Sequence, residues 1–89
     1  MKIVYAKSYE KAFRKLPHPI QAKVIERVDI FRTEPFYELL HNHPLTGEYT
    51  GYRSINITGD YRAIFEELSD GTYEFVEFLE VGTHSQLYN

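Results

Sequence analysis

The hydrophobic pattern changes period once along the chain, and that change restricts the fold more than any other feature. Between residues 8 and 31 the apolar residues recur at helical spacing. Tyr9, Ala12, Phe13 and Leu16 form one stripe, and Ile20, Val24, Val28 and Phe31 form a second. Ser8 is placed to cap the first helix, Pro17-His18-Pro19 ends it, and Pro19 suits the first turn of the next, so the two make a helical hairpin. From Tyr52 onward the period falls to two. Runs at residues 52–58, 61–68 and 73–81 are separated by Gly59-Asp60 and by Ser69-Asp70-Gly71-Thr72, the turn chemistry of a three-stranded antiparallel meander. A short β-prone run from Lys2 to Tyr5 precedes the helices. The expected fold is α+β in the order β-α-α-β-β-β, an antiparallel sheet packed on one face by the hairpin, with its other face free as a concave working surface.

The chain has 89 residues and no cysteine, so one domain spanning 1–89 is expected, held by packing alone, without disulfides or thiolate metal sites. Eight tyrosines and six phenylalanines supply an aromatic core, with Tyr52, Tyr61 and Tyr73 read as packing residues of the sheet. No stretch approaches the roughly 20 apolar residues that cross a bilayer, and the opening Met-Lys-Ile-Val-Tyr has no signal-peptide core. A cytoplasmic protein with no membrane partner is the expectation.

The net charge of −3 conceals an asymmetry: residues 1–32 sum to +5 and residues 33–89 to −8. The helical half is therefore the half able to lie along phosphate or an acidic partner, or it is a solvated helix surface. The overall acidity counts against tight, nonspecific nucleic-acid binding. Residues 33–50, with Pro35, Pro44 and Gly47, are irregular, and so long a loop in so small a chain usually has a task.

Four histidines occur, none at helical metal-ligand spacing. His41 and His43 lie two apart with no third ligand indicated, so no metal is expected. His43, Asp60, Arg62 and His84 fall at strand ends, in the hairpin or in the irregular loop, which a meander brings towards one rim. A histidine passes protons near neutrality and an arginine holds phosphate through its transition state, so the four suit phosphodiester cleavage. A ribose 2′-OH already beside the phosphorus makes a metal unnecessary. Arg53 and Arg62 have an alternative use as ion-pair partners of Glu66, Glu67 or Glu74 across the sheet.

The ordered segments His43-Pro44-Leu45-Thr46-Gly47, Gly51-Tyr52-Arg53-Ser54-Ile55-Asn56-Ile57, Asp60-Tyr61-Arg62-Ala63-Ile64-Phe65 and Gly82-Thr83-His84-Ser85-Gln86-Leu87-Tyr88 resemble the RelE/ParE toxin superfamily, with the YafQ-like branch nearest, over essentially the whole chain. The resemblance implies the toxin of a type II toxin–antitoxin pair. Its activity would be ribosome-dependent endonucleolytic cleavage of mRNA in the A site, neutralised by a cognate antitoxin and needing no cofactor. Carried over by match, His84 is a general acid or base and His43 its partner, Asp60 orients a base or positions RNA, and Arg62 takes phosphate. Tyr88 stacks on or orients a nucleotide, and Asn56 and Arg53 complete the expected RNA contacts.

Two departures stand out. Asn56 occupies the place of a further active-site histidine, and an amide forms hydrogen bonds but does not transfer protons near neutral pH. The sheet half is acidic, where such toxins are usually basic. The rival expectations are a ParE-like gyrase inhibitor and a degenerate member that binds antitoxin without cutting RNA. The antitoxin is expected to dock an amphipathic or extended segment on the positively charged helices.

Overall fold

A computed structural model of the chain describes residues 1–88; Asn89, the last residue of the C-terminal run, lies outside them. The elements are β1 (Lys2–Tyr5), α1 (Lys7–Arg14), α2 (His18–Thr33), β2 (His43–Pro44), β3 (Arg53–Asn56), β4 (Tyr61–Glu67), β5 (Phe75–Thr83) and α3 (His84–Tyr88), with single 3₁₀ turns at Glu38–Leu40 and Gly47–Tyr49. No helix among the described residues is long and apolar enough to cross a membrane.

The helical hairpin and the meander form as the periodicities require. Tyr9, Val24, Val28 and Phe31 turn inward against Ile55, Ile57, Ala63, Phe65, Val76, Phe78 and Val81 of the sheet. Phe31 of α2 is the pivot of this core. Its ring meets Phe65 at 4.8 Å and Phe78 at 5.3 Å edge-on, the geometry that aromatic quadrupoles favour.

Four features depart from the expectation. The sheet has five strands in the order β1-β5-β4-β3-β2, because the loop contributes the two-residue edge strand β2, antiparallel to β3. The sheet is also not wholly antiparallel: β1 runs parallel to β5, Lys2 opposite Phe75, and the two helices supply the crossover that a parallel pair needs. The first helix begins at Lys7 with Ala6 as its cap residue. Ser8 does not cap it; its hydroxyl donates to the Leu79 carbonyl at 2.7 Å. Leu79 is the extra residue of a β-bulge, since Ile64 pairs with Glu80 and Phe65 with Phe78, so α1 is tied to the place where β5 shifts register. Last, the chain continues past the third meander strand into α3.

Strand alternation then sorts the residues by face. Arg53, Ile55, Ala63, Phe65 and Val81 share the helix side. His43, Ser54, Ile64 and Glu80 line up across the outer face, and beside them runs a second row of Asn56, Arg62 and Gly82.

Candidate active site

The outer face ends in an open cleft of about 360 Å³ bounded by the loop on one side and α3 on the other. Three segments deliver imidazoles to it: His41 and His43 from the loop, and His84 from the first position of α3. Asn56 and Arg62 come from the strands between them, Tyr88 closes the far wall, and Leu45 and Thr46 complete the loop side. No carboxylate lines the cleft among the described residues. The acidic excess of the sheet half is placed elsewhere, in part on Glu66, Glu77 and Glu80 further along the same face.

The strand-to-helix transition that presents His84 is a reciprocal cap. The Gln86 backbone N–H donates to Thr83 Oγ1 at 3.2 Å, and the Thr83 N–H donates to Gln86 Oε1 at 2.9 Å. Gly82 leaves room for this cap, since a Cβ at that position would stand 2.8 Å from Gln86 Oε1 and push that oxygen aside. The His84 N–H, the next free donor, is taken by the Asp60 carbonyl at 3.0 Å. Asp60 thus reaches the site through its backbone. Its side chain is not part of the cleft lining, and the residue sits exposed in the β3–β4 turn.

His43 is oriented by its neighbour. Its Nδ1 lies 2.8 Å from the His41 carbonyl oxygen. A carbonyl only accepts, so the proton of neutral His43 resides on Nδ1 and its Nε2 carries the free lone pair. His41 makes this contact from a left-handed backbone conformation, φ +47°. The two rings lie 4.8 Å apart.

Arg62 makes no ion pair with Glu66, Glu67 or Glu74 among the described residues. Its Nη1 donates instead to the carbonyls of Thr58, Gly59 and Tyr61 at 3.0, 3.1 and 3.1 Å. One corner of the guanidinium therefore stitches the turn shut while the residue lines the cleft. Tyr88 packs against His84 with the ring centroids 4.7 Å apart and the planes tilted by 56°, and meets Tyr49 edge-on at 5.8 Å. Burial first, then Glu80 and Tyr88, push the Tyr49 hydroxyl above the ordinary tyrosine range. Asn56 Oδ1, Tyr88 Oη and Ser54 Oγ are buried without a hydrogen-bond partner among the described residues. Groups of this kind call for a ligand or water.

The structure thus brings together His43, Asn56, Arg62, His84 and Tyr88 of the expected residues. It does not bring Arg53, which sits on the helix side, donates from Nε to Asn42 Oδ1 at 2.8 Å and packs over the Phe36 ring at 5.6 Å. His41 and Thr46 were not singled out for this site by sequence reasoning. The cap that sets His84 had a readable signal, Thr83-x-x-Gln86. Among the described residues no group of three or more His, Asp or Glu side chains gathers to hold a metal.

Comparison with known proteins adds the lineage. No curated protein matches the chain significantly by sequence. Among solved structures, YafQ from E. coli strain BL21(DE3) superposes with a TM-score of 0.80 at 21% identity, covering 99% of this chain and 98% of that one. The toxin–antitoxin complex RelBE2 from Mycobacterium tuberculosis matches at 0.71 and 27% identity, covering 92% and 95% of the two chains. The E. coli DinJ-YafQ complex matches at 0.68 and 27%, covering 99% and 97%. The family described as the bacterial toxin of type II toxin–antitoxin system, YafQ, matches residues 1–89. With the whole chain covered, this protein belongs to the YafQ toxin family, of the RelE-like fold.

Proposed function

We propose that the protein cuts mRNA in the ribosomal A site by attack of a ribose 2′-OH on the adjacent phosphorus. The observation that carries this reading is the cleft itself, which three imidazoles and one guanidinium line together with no carboxylate among the described residues. His43, whose free Nε2 is set by the His41 carbonyl, is the base that takes the 2′-OH proton. The O2′–P bond forms as the P–O5′ bond breaks. His84, on the opposite wall, gives its proton to O5′, leaving a 2′,3′-cyclic phosphate and a 5′-OH. Arg62 holds the phosphate oxygens as charge accumulates on them, its position secured by the turn carbonyls. Tyr88 and Asn56 offer an aromatic face and an unpaired amide oxygen to a nucleotide. The nucleophile belongs to the substrate, so these side chains supply everything that the step requires.

The partner in this reading is a cognate antitoxin, as in the DinJ-YafQ and RelBE2 complexes. Its docking surface is a hollow of about 410 Å³ between β1, α1 and α2, floored by Tyr5, Tyr9, Phe13 and Val28, with Ile25 more than half exposed at its edge. Arg14 and Arg32 line it together with Glu10 and Asp29, so apolar anchors rather than net charge hold the segment.

The test is induced expression of wild type and His84→Ala without antitoxin, following growth and mapping mRNA 5′ ends. Wild type arrests growth and produces new in-frame cuts, and the variant produces none. Arrest that survives the substitution without cuts would point to the gyrase-type activity. Soluble, folded protein with no arrest in either strain would make this a binder that no longer cleaves.

A further inference from the structure

Resting on the reading above, we infer that His41 is a second phosphate-binding cation of the cleft, holding the scissile phosphate beside His43 and across from Arg62. Three observations support it. The His41 ring lines the cleft, 4.8 Å from the His43 ring, yet makes no hydrogen bond of its own among the described residues. The contact that the fold needs from this residue is the backbone carbonyl that orients His43. A left-handed turn provides that contact at φ +47°, a conformation that glycine and asparagine adopt without an imidazole. The imidazole is therefore dispensable for the turn but present in the cleft.

The third observation is electrostatic. The groups that face His41 are His43 from β2, Arg62 from β4, and His84 and Tyr88 from α3, with the neutral Asn56 from β3. None is an acid. A protonated imidazole here has no counter-charge among the described residues that line the cleft, and like charges held together in a partly enclosed site oppose one another until an anion enters. A phosphodiester supplies that anion. Its two non-bridging oxygens allow one to be held by Arg62 and the other by His41, which leaves His43 Nε2 and His84 for the proton transfers. Asn56 is positioned to accept or donate a hydrogen bond but adds no charge, so the charge that holds the non-bridging oxygens rests on Arg62 and His41, beside the proton that His84 carries for O5′.

His41→Asn and His41→Arg separate the side chain from the turn, because asparagine tolerates the left-handed conformation and both keep the carbonyl that orients His43. His18→Asn, at the exposed start of α2, is the control for loss of a histidine elsewhere. Two readouts are taken at about pH 6, where an imidazole carries much of its charge: inorganic phosphate binding by NMR, and cleavage of mRNA on programmed ribosomes. His41→Asn is expected to weaken phosphate binding and lower kcat/KM by about tenfold or more, with unchanged thermal stability, and His41→Arg to restore both to within about threefold of wild type.

Equal phosphate affinity in wild type and His41→Asn overturns the inference. So does a loss that arginine does not restore, since the ring would then act by something other than charge. If wild type cuts no RNA while His41→Asn still weakens phosphate binding, the anion site stands and the nuclease reading falls.

Discussion

On the helix side of the sheet, Phe31, Phe65 and Phe78 meet ring to ring, and Arg53 of β3 has both an amide partner in Asn42 and an aromatic one in Phe36. On the opposite face, Ser54 and Asn56 of β3 and Tyr88 of α3 each bury a polar atom with no partner among the described residues. Leaving such a group unpaired costs about 1–3 kcal/mol. A chain that satisfies one face and leaves the other incomplete is spending stability where a bound molecule will supply the missing contacts. The helix side accounts for why the protein folds, and the outer side for what it does.

Cutting into the helix side produces the largest effect. Phe31→Ala removes the ring on which Phe65 and Phe78 converge and is expected to cost about 3–5 kcal/mol in urea unfolding. A smaller loss would mean that the core collapses into the gap and is less tightly packed than the ring contacts indicate. A middling effect, of opposite sign on the two properties, is expected on the outer side. Tyr88→Phe deletes an unpaired hydroxyl and keeps the ring contact with His84, so stability holds or rises by up to about 1 kcal/mol while RNA cleavage falls about tenfold. A drop in stability would show that the hydroxyl is already satisfied and that the contrast between the faces fails at Tyr88.

The smallest effect lies at the β4–β5 turn, where a carboxylate is satisfied several times over. Glu67 accepts from the backbone N–H groups of Ser69, Gly71 and Tyr73 and from the Ser69 hydroxyl. Desolvation pushes its carboxyl upward, but these donors outweigh it and hold the group below its usual value of 4.5. A depressed carboxyl contributes stability that is complete above the unfolded value and is lost as pH falls through the folded one. Glu67→Gln should therefore cost about 1 kcal/mol or less near neutrality, given the solvent around the site, and flatten the acid side of the stability profile below about pH 4.5.

Much of this architecture was legible because it is written in local periodicity. Val24, Val28 and Phe31 declare the buried stripe of α2, and the Gly59-Asp60 turn declares the hairpin that carries Arg62. Alternation within the run 52–58 puts Arg53 on the same side as Ile55 and Ile57, which is the side where the structure has it and the wrong side for the cleft. What local pattern lacks is any sign of pairing at a distance. Nothing near Lys2 announces its partner Phe75, and His43–Pro44 is too short to read as a strand. His41 escaped for a different reason: its position in the cleft comes from a left-handed turn, which follows no hydrophobic period.

Arg62 is joined at Nη1 to three carbonyls of the turn that precedes it, and the same turn holds the first residue of α3 through the Asp60 carbonyl. The guanidinium has therefore lost most of its rotational freedom before any substrate arrives, and an arginine so restrained surrenders little entropy on binding. The same linkage makes the four residues 58–61 a lever. A change in the shape of that turn, even one that touches no nucleotide, would move the phosphate clamp and the terminal histidine together, so the two are set for evolution to tune as one part.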